Sequence, residues 1–356
     1  MRAAGLAVVV LLAATLTACG SDGDGTKSVA DRSPTPSQDG TTTAGGPVSA
    51  TENLLDWKPL DSAADTVVSS GEWSLAVPSG ATAAILDGPA RTKVAAGAGR
   101  KIVDTFLTDT TAVVVAQDQA ETRPQVITVV DLASGKKSTV TDPPPGPGGP
   151  FAVSGATLAY ATYKPGGDYC LATFDLGSGS GEKGYCAPRR HGFSNIAVTP
   201  AGTAMMTFDA ARPVACRTLV DVDGAGVTPV EGVRKCTGWD VAATPTGHIW
   251  STLPHENRVE LGDFHASADG TTYDLGQGQT GTLTWCGDSA YFARDGGGKA
   301  RASLLRWTPE ATLEVVYEAP GEGESFLAAP TCAGTVLTVE AYGEGGDEIV
   351  SATVPG

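Results

Sequence analysis

A turn followed by an alternating apolar strand recurs seven times along this chain, and that repeat constrains the fold more than any other feature. The turns read SSGEW (69–73), TDTTA (108–112), VSGAT (153–157), TPAGT (199–203), TPTGH (244–248), CGDSA (286–290) and TCAGT (331–335). The strands that follow read WSLAV, AVVVA, LAYAT, AMMTF, IWSTL, AYFAR and VLTVE. Aligned on Glu72, Thr111, Thr157, Thr203, His248, Ser289 and Thr335, the copies step by 39, 46, 46, 45, 41 and 46 residues. A near-constant period of this size marks an array of one structural unit, each copy burying its apolar face on the next.

A second pattern fills each period. VVDLASGKK (129–137), TFDLGSGSG (173–181) and LVDVDGAGV (219–227) are strands ending in a Gly-bearing turn, with weaker copies at FHASADGTT (264–272) and LRWTPEATL (305–313). No convincing amphipathic helix interrupts them. Four antiparallel strands in about 40–46 residues make one blade of a β-propeller. The reading is therefore all-β: a propeller over residues 53–356 with seven four-stranded blades. The seventh copy supplies three strands, ending in EIVSATV (348–354), and NLLDWKPL (53–60) has no other partner. That N-terminal segment is expected to supply the missing outer strand and close the ring, removing an edge on which another chain could pair.

The period and the DL-x-SG turn (Asp131 to Gly135, Asp175 to Gly179) resemble bacterial extracytoplasmic propellers of the TolB-like, WD40-like and quinoprotein-like kinds. The resemblance spans roughly residues 53–356 and implies an architecture without naming a substrate.

The N-terminus implies an address. Arg2, an apolar run over residues 3–16 and the small residues Thr17-Ala18 make an export signal over residues 1–18. The run is shorter than the roughly 20 residues that span a bilayer. Leu16-Thr17-Ala18-Cys19 resembles a bacterial lipobox. It implies that the Cys19 thiol takes a diacylglycerol, with fatty chains such as palmitate. Each buried methylene would then contribute about 0.8 kcal/mol to holding the protein on the extracytoplasmic face of the cell membrane. Residues 19–52 are rich in Gly, Ser, Thr, Asp and Pro and read as a disordered tether, because they cannot bury enough surface to offset ordering. Asn (3), Ile (6) and Lys (10) are scarce, a bias expected of a GC-rich genome such as that of a high-GC Gram-positive bacterium.

Charge excludes one class of partner. The chain carries 24 basic and 40 acidic residues, a net −16. Nucleic acid binding requires phosphate neutralisation, so no nucleic-acid partner is expected.

Six further cysteines follow Cys19, and in an exported chain they are expected to pair. The repeat puts Cys170 and Cys186 on the third and fourth strands of blade three, and Cys216 and Cys236 on the equivalent strands of blade four. Cys286 and Cys332 fall on equivalent turns of blades six and seven. The expected bridges are Cys170–Cys186, Cys216–Cys236 and Cys286–Cys332.

Catalytic motifs are missing. GFSNI and GDSAY lack the second glycine of a nucleophile elbow, and HENRV (255–259) lacks the second histidine of a zinc-protease helix. His248 and His255 bracket one strand and lie more than about 20 Å apart at ~3.3 Å per residue, too far to share a metal. His248 and His265 could be cross-strand neighbours, but two ligands do not make a site. No metal, cofactor or catalytic residue is assigned.

Propellers bind mostly where outer strands pass to the next blade. Among those links, Arg189, Arg190, His191 and Phe193 form the densest basic and aromatic group, and Trp239 and Asp240 come from the next link. Arginine offers paired hydrogen bonds to anions and Trp an apolar face, so a ligand-binding patch is expected there. The expected function is that of a monomeric, lipid-anchored propeller that binds an envelope protein or anionic polymer without catalysis. The alternative is a cell-surface glycan hydrolase or lyase using Asp104, Asp240 and Glu324, all near the starts of inner strands.

Overall fold

The computed structural model describes residues 43–60, 66–164, 167–211, 216–256 and 258–356. The signal segment and Cys19 lie outside the described residues.

The described residues form strands and turns and no helix. They build seven antiparallel sheets in a ring, over residues 66–95, 100–139, 151–186, 191–229, 238–279, 284–318 and 325–353. The first strand of each blade lies nearest the axis. The second strands show why the sequence alternates as it does. In Thr111–Asp118 every residue is buried. Ala112, Val114 and Ala116 join the core shared with blade one, whereas Val113 and Val115 join the core shared with blade three. Side chains that alternate across a doubly covered sheet give a continuous apolar run. Each large apolar side chain so buried contributes about 1.5–3 kcal/mol. Between blades five and six the contact is aromatic, with Phe264 stacked on Phe292 at 4.1 Å.

Closure follows the expectation. Lys58–Pro59 pairs antiparallel with Glu348–Thr353 and becomes the outer strand of blade seven. Leu60 N–H donates to Ile349 O at 2.8 Å. Trp57 anchors the segment: its Nε1–H donates to Val316 O at 2.7 Å, and its ring meets Tyr317 edge-on at 5.2 Å.

Residues 43–52, expected as the end of the tether, instead run along two more blades. Thr43–Pro47 pairs parallel with Thr271–Gln279, giving blade five a fifth strand. Thr51–Glu52 does the same on Leu313–Glu318 of blade six. The physical reason is that blade edges offer unpaired peptide groups, which any extended backbone can satisfy without an apolar pattern. Gly45 is needed for the approach, since a Cβ there would lie 2.4 Å from Thr272 O.

All three expected disulfides form. Cys170–Cys186 and Cys286–Cys332 sit as expected. Cys216–Cys236 forms too, but Cys236 lies past the fourth strand, Gly226–Pro229, in the link to blade five. Its φ of +67° turns the chain back toward Cys216.

Candidate functional site

The ring has two mouths. At the link end, outer strands pass to the next inner strand. At the turn end, each inner strand turns into the second.

At the link end the six expected residues do not form one surface. Arg189, Arg190 and His191 are exposed, and Arg190 holds a left-handed φ of +65°. The His191 Nε2 lies 3.8 Å from Asp209 Oδ1. Phe193 is 1 % exposed and stacks on Tyr169 at 4.4 Å, with Tyr185 edge-on to it. It belongs to the core between blades three and four. The reason is register: Phe193 lies within the strand His191–Thr199, so the link is shorter than the sequence suggested. Trp239 is half-buried with Arg217 over its ring at 4.9 Å. The neighbouring blades meet where Asn195 Nδ2 donates to Trp239 O at 2.9 Å.

Asp240 is also buried. Its carboxylate accepts from Ser251 Oγ at 2.8 Å and from Gly281 N–H at 3.0 Å. It therefore ties the inner strand of blade five to the link before blade six. Burial pushes its pKa up to about 6, against the pull of the Gly281 and Ser251 hydrogen bonds. Asp104, at a bulge in the inner strand of blade two, is likewise raised to about 6 by burial, opposed by the Thr105 N–H. Glu324 is exposed.

His248 has a structural partner. His248 Nε2 lies 2.8 Å from Asp221 Oδ1, joining blades four and five. His248 and His265 are not opposite one another, because His248 pairs with Ser267 and His265 with Trp250. Among the described residues, no group of three or more His, Cys, Asp or Glu is placed to hold a metal ion.

The turn end holds an axial cavity of about 690 Å³. Five of the seven repeated turns wall it: Thr108, Asp109 and Thr110 of blade two, Ser154 and Gly155 of blade three, Thr199 and Pro200 of blade four, Cys286 and Gly287 of blade six, and Thr335 of blade seven. Trp285 and the Cys286–Cys332 bridge complete the wall. Hydroxyls rigidify these turns. Thr108 Oγ1 accepts from Thr111 N–H at 3.0 Å, and Thr199 Oγ1 donates to Ala243 O of blade five at 2.9 Å. Ser70 Oγ of blade one donates to Asp109 Oδ1 at 3.3 Å. Gly334, at φ +59°, lets Asp109 approach, since a Cβ there would lie 2.1 Å from Asp109 Oδ1. A second hollow of about 700 Å³, between blades seven and one, shares Asp109 and Thr335 and adds Glu72.

The sequence displayed these turns as the repeat itself. Their recurrence at one position of every blade was the signal that they converge on one end of the axis.

Seven four-stranded blades in a ring define a seven-bladed β-propeller. No family model matches the sequence, and no curated protein matches it. Among solved structures, the chain is similar to the β-propeller domain of the Trilobed protease from Pyrococcus furiosus. The identity is 10% and the TM-score 0.54, over 81% of this chain and 94% of that one. It is also similar to a prolyl endopeptidase at 10% identity and TM-score 0.50, over 86% of this chain and 49% of that one, about half its length. TolB from Acinetobacter baumannii aligns at 11% identity and TM-score 0.36, over 81% of this chain and 78% of that one. At such identities the likeness is one of fold alone. The Pyrococcus domain is described as having an open velcro topology. Here Lys58–Pro59 closes the last blade.

Proposed function

We propose that this chain is a lipid-anchored, extracytoplasmic binding protein whose propeller holds a ligand on its axis without transforming it. The observation that carries the reading is the axial cavity of about 690 Å³, in which Asp109 is the single ionisable side chain among the described residues. Glycoside hydrolysis commonly uses two carboxyl groups facing one bond. None of the three carboxylates expected for that chemistry lines this cavity: Asp240 is buried among Ser251 and Gly281, Asp104 is half-buried at the bulge of blade two, and Glu324 is exposed. Three disulfides suit an oxidising extracytoplasmic compartment. The lipobox-like Leu16-Thr17-Ala18-Cys19 supplies the anchor in this reading.

Two measurements test it. The purified chain is incubated with envelope extract, and the bound molecule is recovered and weighed by mass spectrometry early and late. An unchanged mass is expected, and accumulation of a cleaved product would replace binding with catalysis. For the anchor, cells are fractionated with wild type and Cys19→Ala. The wild type is expected in the membrane fraction and the variant in the medium or unprocessed. Wild type found fully soluble with an unmodified Cys19 would remove the anchor.

A further inference from the structure

The chemistry of the turn end narrows the ligand. Asp109 and Thr335 line both the axial cavity and the neighbouring hollow. Among the described residues no Lys or Arg lines either one, while Asp109 faces both and Glu72 lines the neighbouring hollow alone. The whole chain carries a net charge of −16. Among the described residues an anionic ligand would meet only like charge at this mouth. A purely apolar ligand would strip water from Thr110, Ser154, Thr335 and the turn peptides without replacing their hydrogen bonds. A neutral, hydroxyl-rich ligand meets neither cost. Its hydroxyls donate to a carboxylate, exchange hydrogen bonds with threonine and serine, and leave a C–H face to lie on an indole. The cavity volume falls within the roughly 300–1,000 Å³ of small-molecule sites.

We propose that the turn end of the axis binds a short neutral saccharide, with Asp109 accepting its hydroxyls and Trp285 supplying an apolar wall. The proposal rests on the binding reading above and adds the mouth and the ligand class. It sets this mouth apart from the link end, where the exposed Arg189 and Arg190 would favour an anionic group.

The test is calorimetric titration of the full chain in detergent. The neutral probes are maltotriose, cellotriose and mannotriose, and the anionic probe is trigalacturonate. At least one neutral trisaccharide is expected to bind, with trigalacturonate at least about tenfold weaker at low salt. Asp109→Asn is expected to weaken binding by about tenfold or more, the loss of one hydrogen bond to a charged acceptor. Thr110→Trp fills the mouth from an exposed turn position and is expected to abolish binding. Arg190→Ala is expected to leave it unchanged. Melting temperatures near wild type qualify each variant, and the two turn variants serve as independent checks on one another. The proposal is overturned if no neutral trisaccharide binds at millimolar concentration, or if affinity survives both turn variants. Tighter trigalacturonate binding that is lost in Arg190→Ala would move the site to the link end. That outcome would overturn the saccharide site and leave the binding function standing. Failure of every sugar sinks this proposal alone, because the envelope-extract experiment presupposes no ligand class.

Discussion

At the link end of the ring the exposed side chains include Arg189, Arg190 and His191, with the apolar Val103 and Phe326 on the link-side parts of their inner strands. At the turn end they include Thr110, Asp109 and Glu72. The ends also differ in how the backbone uses its space. The longest link, over residues 140–150, folds back on its blade. In the Pro-rich link before blade three, Pro143 O accepts from Tyr160 OH and Pro144 O from Thr162 Oγ1, each at 2.6 Å. Just past the next two links, Phe193 and Asp240 are buried in the inner strands of blades four and five. Turns between inner and second strands are only a few residues long, and five of them meet around the hollow at that end. Short connections thus leave room for a ligand at the turn end, while the long Pro-rich link packs onto its own blade.

Three variants sharpen that contrast. The largest effect is expected at the link end from Phe193→Ala. Removing a fully buried ring stacked on Tyr169 should cost about 3–5 kcal/mol in urea unfolding. A cost below about 1 kcal/mol would return Phe193 to the list of ligand contacts.

Next comes the turn end. Replacing both Cys286 and Cys332 by Ser removes a bridge between blades six and seven that spans 46 residues of sequence. A loss of about 2–4 kcal/mol is expected, read by chemical denaturation under non-reducing conditions. Saccharide affinity should fall with it, since the bridge lines the cavity. Unaltered stability and affinity together would mean that the bridge does not hold this mouth in shape.

The third effect is pH-dependent. Asp240 has its pKa raised to about 6 in the folded chain by burial. A carboxyl raised on folding binds more protons folded than unfolded. Its stabilising contribution is therefore present below about pH 4 and lost as pH rises through about 6. Asp240→Asn cannot titrate. The stability of wild type relative to this variant should fall between pH 4 and pH 7 by on the order of 2–3 kcal/mol, from about 1.4 kcal/mol per pKa unit. Melting curves of the two proteins at half-unit pH steps measure it. A difference that stays flat over that range would show that Asp240 is solvated.

The repeat period, the alternation within each strand and the spacing of the cysteines were legible in the sequence because they reflect local rules. A strand buried on both faces must be apolar, and a tight turn needs Gly, Asp, Thr or Ser. These rules yielded seven blades, the closing strand near Lys58 and the three cysteine pairs. The pairing of Thr43–Pro47 and Thr51–Glu52 with blades five and six was not legible. It is made by main-chain groups, which every residue but proline carries in full, so TAGGP reads as linker and yet serves as an edge strand.

The candidate site divides the same way. The sequence by itself determined that turns of one kind recur in every blade, and that Arg189 and Arg190 stand in a short basic stretch of an acidic chain. Only the tertiary structure decided that Phe193 and Asp240 point into blade contacts, and that Asp109 reaches from blade two past Ser70 to Gly334 of blade seven. A strand shifted by one residue sends its side chains to the opposite face, so a link boundary misplaced by a few positions reverses which groups meet solvent. Contacts between turns more than 200 residues apart depend on how the ring closes, and closure is set by the packing of all seven blades together.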